Sequence, residues 1–305
     1  MRFNWKSPYF LLTMATFFWG ANAVVGKLLV NELPPLTITT FRWIVAALIL
    51  VPFAYAQEGH RLWQGLRFWQ PLVIMGITGV FAFNTLVYYA VRSTSPINAA
   101  LINTSGPIVI ALFSYFLTRE RLQAIQAAGM LLAMAGVFWI LSKGSFQLLL
   151  SFNFNWGDLL MLVAIVIWSI YSITVKRAVS CMSSLTATTL STLIGLIGLI
   201  PFALWELSVY KVDRISWTSV AGVVYLGIFA SVLAFLWWNL GVIKLGAGGA
   251  AVFMYLTPVF TIILSFLILG ELASRHQLFG GLLVPFGVFL TTRVQAQPPR
   301  RLRAG

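Results

Sequence analysis

One pattern occurs twice in this chain, and that duplication limits its folds more than any other feature. Pro107, Glu120 and Gly129 recur as Pro258, Glu271 and Gly280, each pair 151 positions apart (258 − 107, 271 − 120, 280 − 129). Gly76, Ala99, Ala100, Gly136 and Phe138 recur at the same shift as Gly227, Ala250, Ala251, Gly287 and Phe289. Nearer the N-terminus the shift is 149, from Trp19, Lys27 and Pro52 to Trp168, Lys176 and Pro201. The change of two fits a longer loop between Trp205 and Trp217. The chain is therefore expected to fold as two copies of one unit.

Hydropathy identifies the unit. Of the 305 residues 60% are hydrophobic and 9% charged, and mean hydropathy is +0.91, whereas soluble domains average about 25% charged residues. The apolar runs are about 20 residues long, enough to cross a bilayer as helices. A membrane barrel would show short alternating segments instead. Ten spans can be read, near 8–29, 36–56, 69–91, 94–117, 122–141, 157–179, 185–205, 217–243, 246–269 and 277–292. The expected fold is an all-α membrane protein with ten transmembrane helices as two five-helix inverted repeats. The first repeat covers 1–143 and the second 157–293, with an inter-repeat loop at 144–156 and a basic tail at 294–305. Five is odd, so the second unit inserts upside down, about an axis in the membrane plane.

The net charge of +13 would suggest nucleic acid in a soluble protein, but here it sits in short loops and tails. With the N-terminus inside, thirteen Lys and Arg fall on the inner side and six on the outer, with Arg42 inside a helix completing the 20. That asymmetry predicts a multi-pass protein of the plasma membrane (a bacterial inner membrane) with cytoplasmic termini and no nucleic-acid partner. The first apolar run is too long for a signal-peptide core and lacks a small-residue cleavage site, so it is expected to remain as a helix. Cys181 is the single cysteine and is expected to be a small apolar filler beside the sixth helix.

Span four, TSPINAALINTSGPIVIALFSYFLTRERL, carries polar residues next to Gly106-Pro107. Pro donates no backbone hydrogen bond, so the carbonyl near Asn103 is expected to lose its partner. Broken helices at matching places in two halves mark transporter binding sites. Pro107 and Pro258 are the shared break, with Asn103 and Ser105 as candidate solute contacts beside the first. Asn98, nearer the outer end, reads as interhelical glue. Trp19, Asn22, Trp168, Tyr171 and Ser172 lie well inside their spans and are candidates to line a cavity. Asn84 and Tyr88, one helical turn apart, join them, as do Trp238, Asn239 and Tyr255. Trp5, Trp63, Trp69, Trp156 and Trp217 fall at span ends, where aromatic side chains favour the membrane interface. Glu120 and Glu271 read as helix-end anchors. Arg42 lies about 9 Å into its helix at 1.5 Å per residue, within reach of the outer interface or a buried partner.

All seven acids read as loop or helix-end residues. A cation–proton exchanger needs a central carboxylate, so that chemistry is disfavoured. Arg42 and Lys27 do not make the converging cations of a phosphate clamp. No HExxH, GxSxG or Walker loop is present, an enzyme is not indicated, and no cofactor or metal is implied.

WGANAVVGK in the first span, FRW at Phe41 to Trp43 and the series GP…TRERL…AG…AGV, repeated as TP…LGELA…GG…FGV, resemble the ten-helix EamA family of the drug/metabolite transporter superfamily. The resemblance covers nearly the whole chain. It implies metabolite export from a central cavity between the two units, with aromatic amino-acid exporters as the nearest functional relatives. The second half has Leu272 where Arg121 stands and Ser191 opposite Arg42, so symmetry does not require either arginine. The expected function is a monomeric carrier that exports small neutral or zwitterionic metabolites, most of all aromatic and apolar amino acids, by alternating access. Sugars, nucleosides or drug-like solutes, and a passive channel, are the alternatives. In this reading Asn, Ser and helix-end groups meet a solute carboxylate without a buried arginine.

Overall fold

A computed structural model describes residues 7–30, 32–93, 102–119, 123–145, 147, 155–210, 212, 215–270 and 274–292. The ten spans are helices among these residues. Helices α1 (Pro8–Leu29) and α2 (Pro35–Glu58) both start with proline in the first turn, where its missing N–H is no loss. Helix α3 covers 69–93 as Trp69–Met75, a π-helical Gly76–Ala82 and Phe83–Ser93. It is followed by α4 (Gly106–Thr118), α5 (Ala124–Leu141), α6 (Trp156–Val179) and α7 (Ser184–Val209). Helix α8 covers 217–245 and α9 covers 247–269, and α10 is Arg275–Thr292. By length and hydropathy 7 stretches qualify as membrane-crossing, one of them running unbroken from Trp217 to Ile268. Gly246 divides that run with φ 81° and ψ 161°, a conformation open to glycine and little else. The shorter α4 and the less apolar α10, which packs along α5, complete the ten.

The duplication is structural. The π-helical segments of α3 (Gly76–Ala82) and α8 (Leu226–Leu233) fall at matching places: Gly76 opens the first, and its repeat-mate Gly227 is the second residue of the other. Helices α4 and α9 both end in a left-handed cap, Arg119 at φ 57° and Gly270 at φ 70°, which are 151 apart. The relation between the copies is inverted, as the crossing of α5 and α10 shows. A Cβ on Gly129 would lie 2.6 Å from the Gly287 carbonyl oxygen, and one on Gly280 would lie 2.5 Å from that of Gly136. The earlier glycine of α5 thus faces the later one of α10. Exchanging each residue for its repeat-mate turns one contact into the other, as a two-fold axis requires. Small residues allow this backbone approach within a membrane.

The two repeats interlock. Helix α1 packs on α8 and α9, and α6 packs on α3 and α4. Helix α2 packs on the π-helical turn of α8, and α7 on that of α3. Carboxylates tie the ends across the repeats. Glu206, at the end of α7, accepts from the Thr37 N–H at 2.7 Å and its hydroxyl at 2.9 Å, at the start of α2. Glu58, at the end of α2, accepts from the Ser183 and Thr186 hydroxyls at the start of α7. Thr37 and Thr186 are equivalents (186 − 37 = 149). A carboxylate is favoured at a helix N-terminus by the exposed N–H groups there. Glu32, after α1, accepts from the Ser216 N–H at 2.8 Å at the entry to α8. That hydrogen bond first, and the Ser219 and Ser216 hydroxyls next, hold its carboxyl below the usual carboxylate range.

Some expectations are corrected. Span four does not kink at its proline; the turn falls at Thr104 and Ser105, and Pro107 opens α4. Proline is tolerated in a first helical turn, and the Ser105 N–H and hydroxyl both donate to the Ile102 carbonyl, at 2.9 and 2.7 Å. Pro258 likewise sits in the first turn of Leu256–Leu269, after a 3-10 turn at Val252–Tyr255. Cys181 is exposed rather than filling a core, because it lies in the turn that follows α6. Trp63, Trp69, Trp156 and Trp217 are exposed, in keeping with an interfacial belt. Asn98, Glu120, Glu271, Trp5, the basic tail and most of the 144–156 loop lie outside the described residues.

Candidate functional site

The middle of the bundle is a cluster of aromatic rings contributed by both repeats. Trp19 of α1 meets Trp168 of α6 edge-on at 5.6 Å between centroids, and Trp238 of α8 at 5.3 Å. Trp168 stacks on Tyr171 at 4.9 Å and lies 5.9 Å from Trp238. Phe235 touches Trp19, Trp168 and Tyr171, and meets Trp43 of α2 edge-on at 4.7 Å. Phe83 closes the other side, 5.0 Å from Trp168. Trp43, Trp168, Tyr171, Phe235 and Trp238 are buried and Trp19 is half-buried. Rings from both repeats thus pack against one another between the two units. Of the members, Trp43, Phe83 and Phe235 were not foreseen.

The π-helical turns support the cluster. A π turn leaves carbonyls out of register, and they need donors. In α8 the Ala230 carbonyl accepts from Trp19 Nε1 at 3.2 Å. In α3 the Val80 and Gly79 carbonyls accept from Asn84 Nδ2 at 2.7 and 3.3 Å. Gly79 also lets the Tyr171 ring lie against α3, since a Cβ there would be 2.3 Å from the ring.

Two polar clasps flank the rings. In the first repeat Arg42 Nη1 donates to Asn22 Oδ1 at 2.7 Å and Nη2 to Asn84 Oδ1 at 3.0 Å, joining α2, α1 and α3. The guanidinium carbon is 5.7 Å from the Trp43 ring centroid. Arg42 thus has buried partners and is itself only 8% exposed. In the second repeat the Tyr171 hydroxyl donates to Asn239 Oδ1 at 2.9 Å, and Asn239 Nδ2 donates to the Thr188 hydroxyl at 2.9 Å, joining α6, α8 and α7.

Several buried donors have no hydrogen-bond partner among the described residues: Trp168 Nε1, Trp238 Nε1, the Ser172 hydroxyl and the Tyr255 hydroxyl. All four residues belong to the set expected from sequence. Asn103 is exposed just before the turn that precedes α4, and Ser105 is half-buried with its hydroxyl spent on Ile102. The Tyr88 side chain lies outside the described residues.

Two inverted five-helix units that meet over aromatic and amide side chains are the architecture of a membrane transporter. The chain belongs to the EamA-like transporter family, which it matches over residues 6–142 and 155–293. It is 28% identical over 286 residues to the uncharacterized transporter YyaM of Bacillus subtilis, a match covering 94% of this chain and 93% of that one. It is also 28% identical over 250 residues to the aromatic amino acid exporter YddG of Ancylobacter novellus, covering 82% of this chain and 84% of that protein. A solved crystal structure superposes with a TM-score of 0.78 at 23% identity, covering 93% of this chain and 96% of the other, and shows the shared fold.

Proposed function

We propose that this protein exports small neutral or zwitterionic metabolites, aromatic and apolar amino acids first among them, by alternating access at the ring cluster between its repeats. One observation carries the reading: rings from both repeats converge with buried donors that lack partners, at Trp168, Ser172, Trp238 and Tyr255. Leaving a buried donor unsatisfied costs about 1–3 kcal/mol. A solute with an aromatic or aliphatic side chain and polar ends would replace ring–ring contacts and give those donors partners. Tyr and Trp faces also attract an ammonium group. The relative named as an aromatic amino acid exporter supports both substrate class and direction. The described acids Glu32, Glu58, Asp158 and Glu206 lie at helix ends or in loops, which speaks against a cation–proton exchanger. The protein would lie in a bacterial inner membrane as a monomer with both termini in the cytoplasm.

The test is flux of radiolabelled L-phenylalanine and L-tryptophan in liposomes holding the purified protein. Saturable flux is expected, falling about tenfold in Trp168→Ala, which removes a stacking face worth on the order of 1 kcal/mol or more. Flux equal to that of empty liposomes overturns the proposal, and flux that never saturates replaces the carrier with a channel.

A further inference from the structure

The two clasps join equivalent helices by different chemistry, and the difference singles out Arg42. Asn22 and Tyr171 are repeat equivalents, as are Arg42 and Ser191 (171 − 22 and 191 − 42 are both 149). The second repeat joins its first three helices with Tyr171, Asn239 and Thr188, all neutral and all 1% exposed. The first repeat does the same job with a guanidinium between two carboxamides. A neutral joint is therefore enough for the architecture, and a buried cation is a costly way to build it.

The charged clasp is also the more open of the two, because Asn22 is half-buried. It lies at the rim of the ring cluster. Asn22 is three residues beyond Trp19, on the same face of α1. Asn84 follows Phe83, whose ring is 5.0 Å from Trp168. The guanidinium sits over Trp43, which meets Phe235 edge-on.

We infer that Arg42, its plane set by Asn22 and Asn84, is the carboxylate-recognising residue of this carrier, so that its solutes are amino acids held by side chain in the rings and by α-carboxylate on the guanidinium. The inference rests on the amino-acid reading above and narrows it to solutes with a free carboxylate. It replaces the expectation that the carboxylate is met without a buried arginine. A guanidinium presents donors in a planar fork that matches a carboxylate, and the two carboxamide oxygens accept from different nitrogens, which fixes the plane of the fork. Lysine, a single rotatable point charge, cannot bridge Asn22 and Asn84 in that way.

Liposome flux of L-phenylalanine, compared with that of L-phenylalaninamide, tests the inference, because the amide keeps the ring and the amine and loses only the carboxylate. The unmodified protein is expected to favour phenylalanine by at least about tenfold, the scale of a charge-assisted hydrogen bond. In Arg42→Gln the preference should vanish because phenylalanine flux falls by a larger factor than amide flux, and Arg42→Lys should restore it only in part. Equal handling of the two solutes by the unmodified protein overturns the inference and leaves the amino-acid reading standing. A preference that survives in Arg42→Gln also overturns it. No flux of either solute above empty liposomes removes the amino-acid reading itself. If Arg42→Gln does not reconstitute, the two-solute comparison on the unmodified protein, repeated with Asn22→Ala, decides. An unchanged preference in Asn22→Ala counts against the inference.

Discussion

The clasp of the first repeat and that of the second join equivalent helices, yet they are built from different chemistry. In the second, Tyr171, Asn239 and Thr188 satisfy one another in a closed, neutral chain that water does not reach. In the first, Asn22 and Asn84 hold the Arg42 guanidinium beside the rings, with Asn22 half-buried. Only Asn22 and Tyr171 are repeat-mates within the clasps, so each repeat joins its three helices through its own set of side chains. The neutral copy shows that three such helices can be joined without charge, which supports the proposed role of Arg42 in recognition.

The largest effect is expected from forcing the second repeat to copy the first. Ser191 stands opposite Arg42, is 2% exposed, and its carbonyl oxygen abuts Gly76 of α3. Ser191→Arg would bury a cation with no clasp to receive it, at about 3–5 kcal/mol. Loss of monodisperse protein or a steep drop in Tm in detergent is the expected outcome. A variant as stable as the parent would show that both repeats accept the charge and would break the distinction. A middle effect is expected from Asn239→Ala, which leaves the buried Tyr171 hydroxyl without its acceptor, at about 1–3 kcal/mol. Its Tm should fall equally at all pH values from about 7 to about 4, since neutral groups form that clasp; a strongly pH-dependent loss would mean that charge operates there too.

Glu32→Gln is the smallest and supplies the contrast. The Glu32 carboxyl is held below its usual range by the Ser216 N–H and its neighbours, so its folded form prefers the ionised state. A depressed carboxyl contributes stability that is fully present above its unfolded pKa and is lost as pH falls through the folded value. The Tm gap between the parent and Glu32→Gln should therefore be widest near neutral pH and close in acid. A gap that widens in acid would reverse the sign and remove the Ser216 cap as its cause.

Much of this was legible in the residues. Ten spans, their inversion and the glycine pairs of α5 and α10 follow from runs set by bilayer thickness and from an odd-numbered duplication. Trp19, Trp168, Tyr171 and Trp238 could be singled out because large amphipathic rings deep in a span are unusual. Trp43, Phe83 and Phe235 could not, since apolar residues in an apolar run carry no label of what they face. The π-helical turns were silent for a similar reason: one extra residue in a turn changes hydrogen-bond register, and nothing in the flanking apolar residues records it. The break in span four was found but misplaced, because a proline marks where a helix cannot continue and equally where one can begin.

The sequence by itself determined that the chain crosses a membrane ten times in two inverted halves, because hydrocarbon admits only helices of a set length and an odd unit must turn over. It also showed that Arg42 has no counterpart in the second half. Only the tertiary structure decided where that arginine goes. Asn22 and Asn84 are 20 and 42 residues away in the chain, and no spacing rule joins positions so far apart. The three meet because α1, α2 and α3 pack side by side, and a guanidinium buried among them takes the acceptors that packing provides.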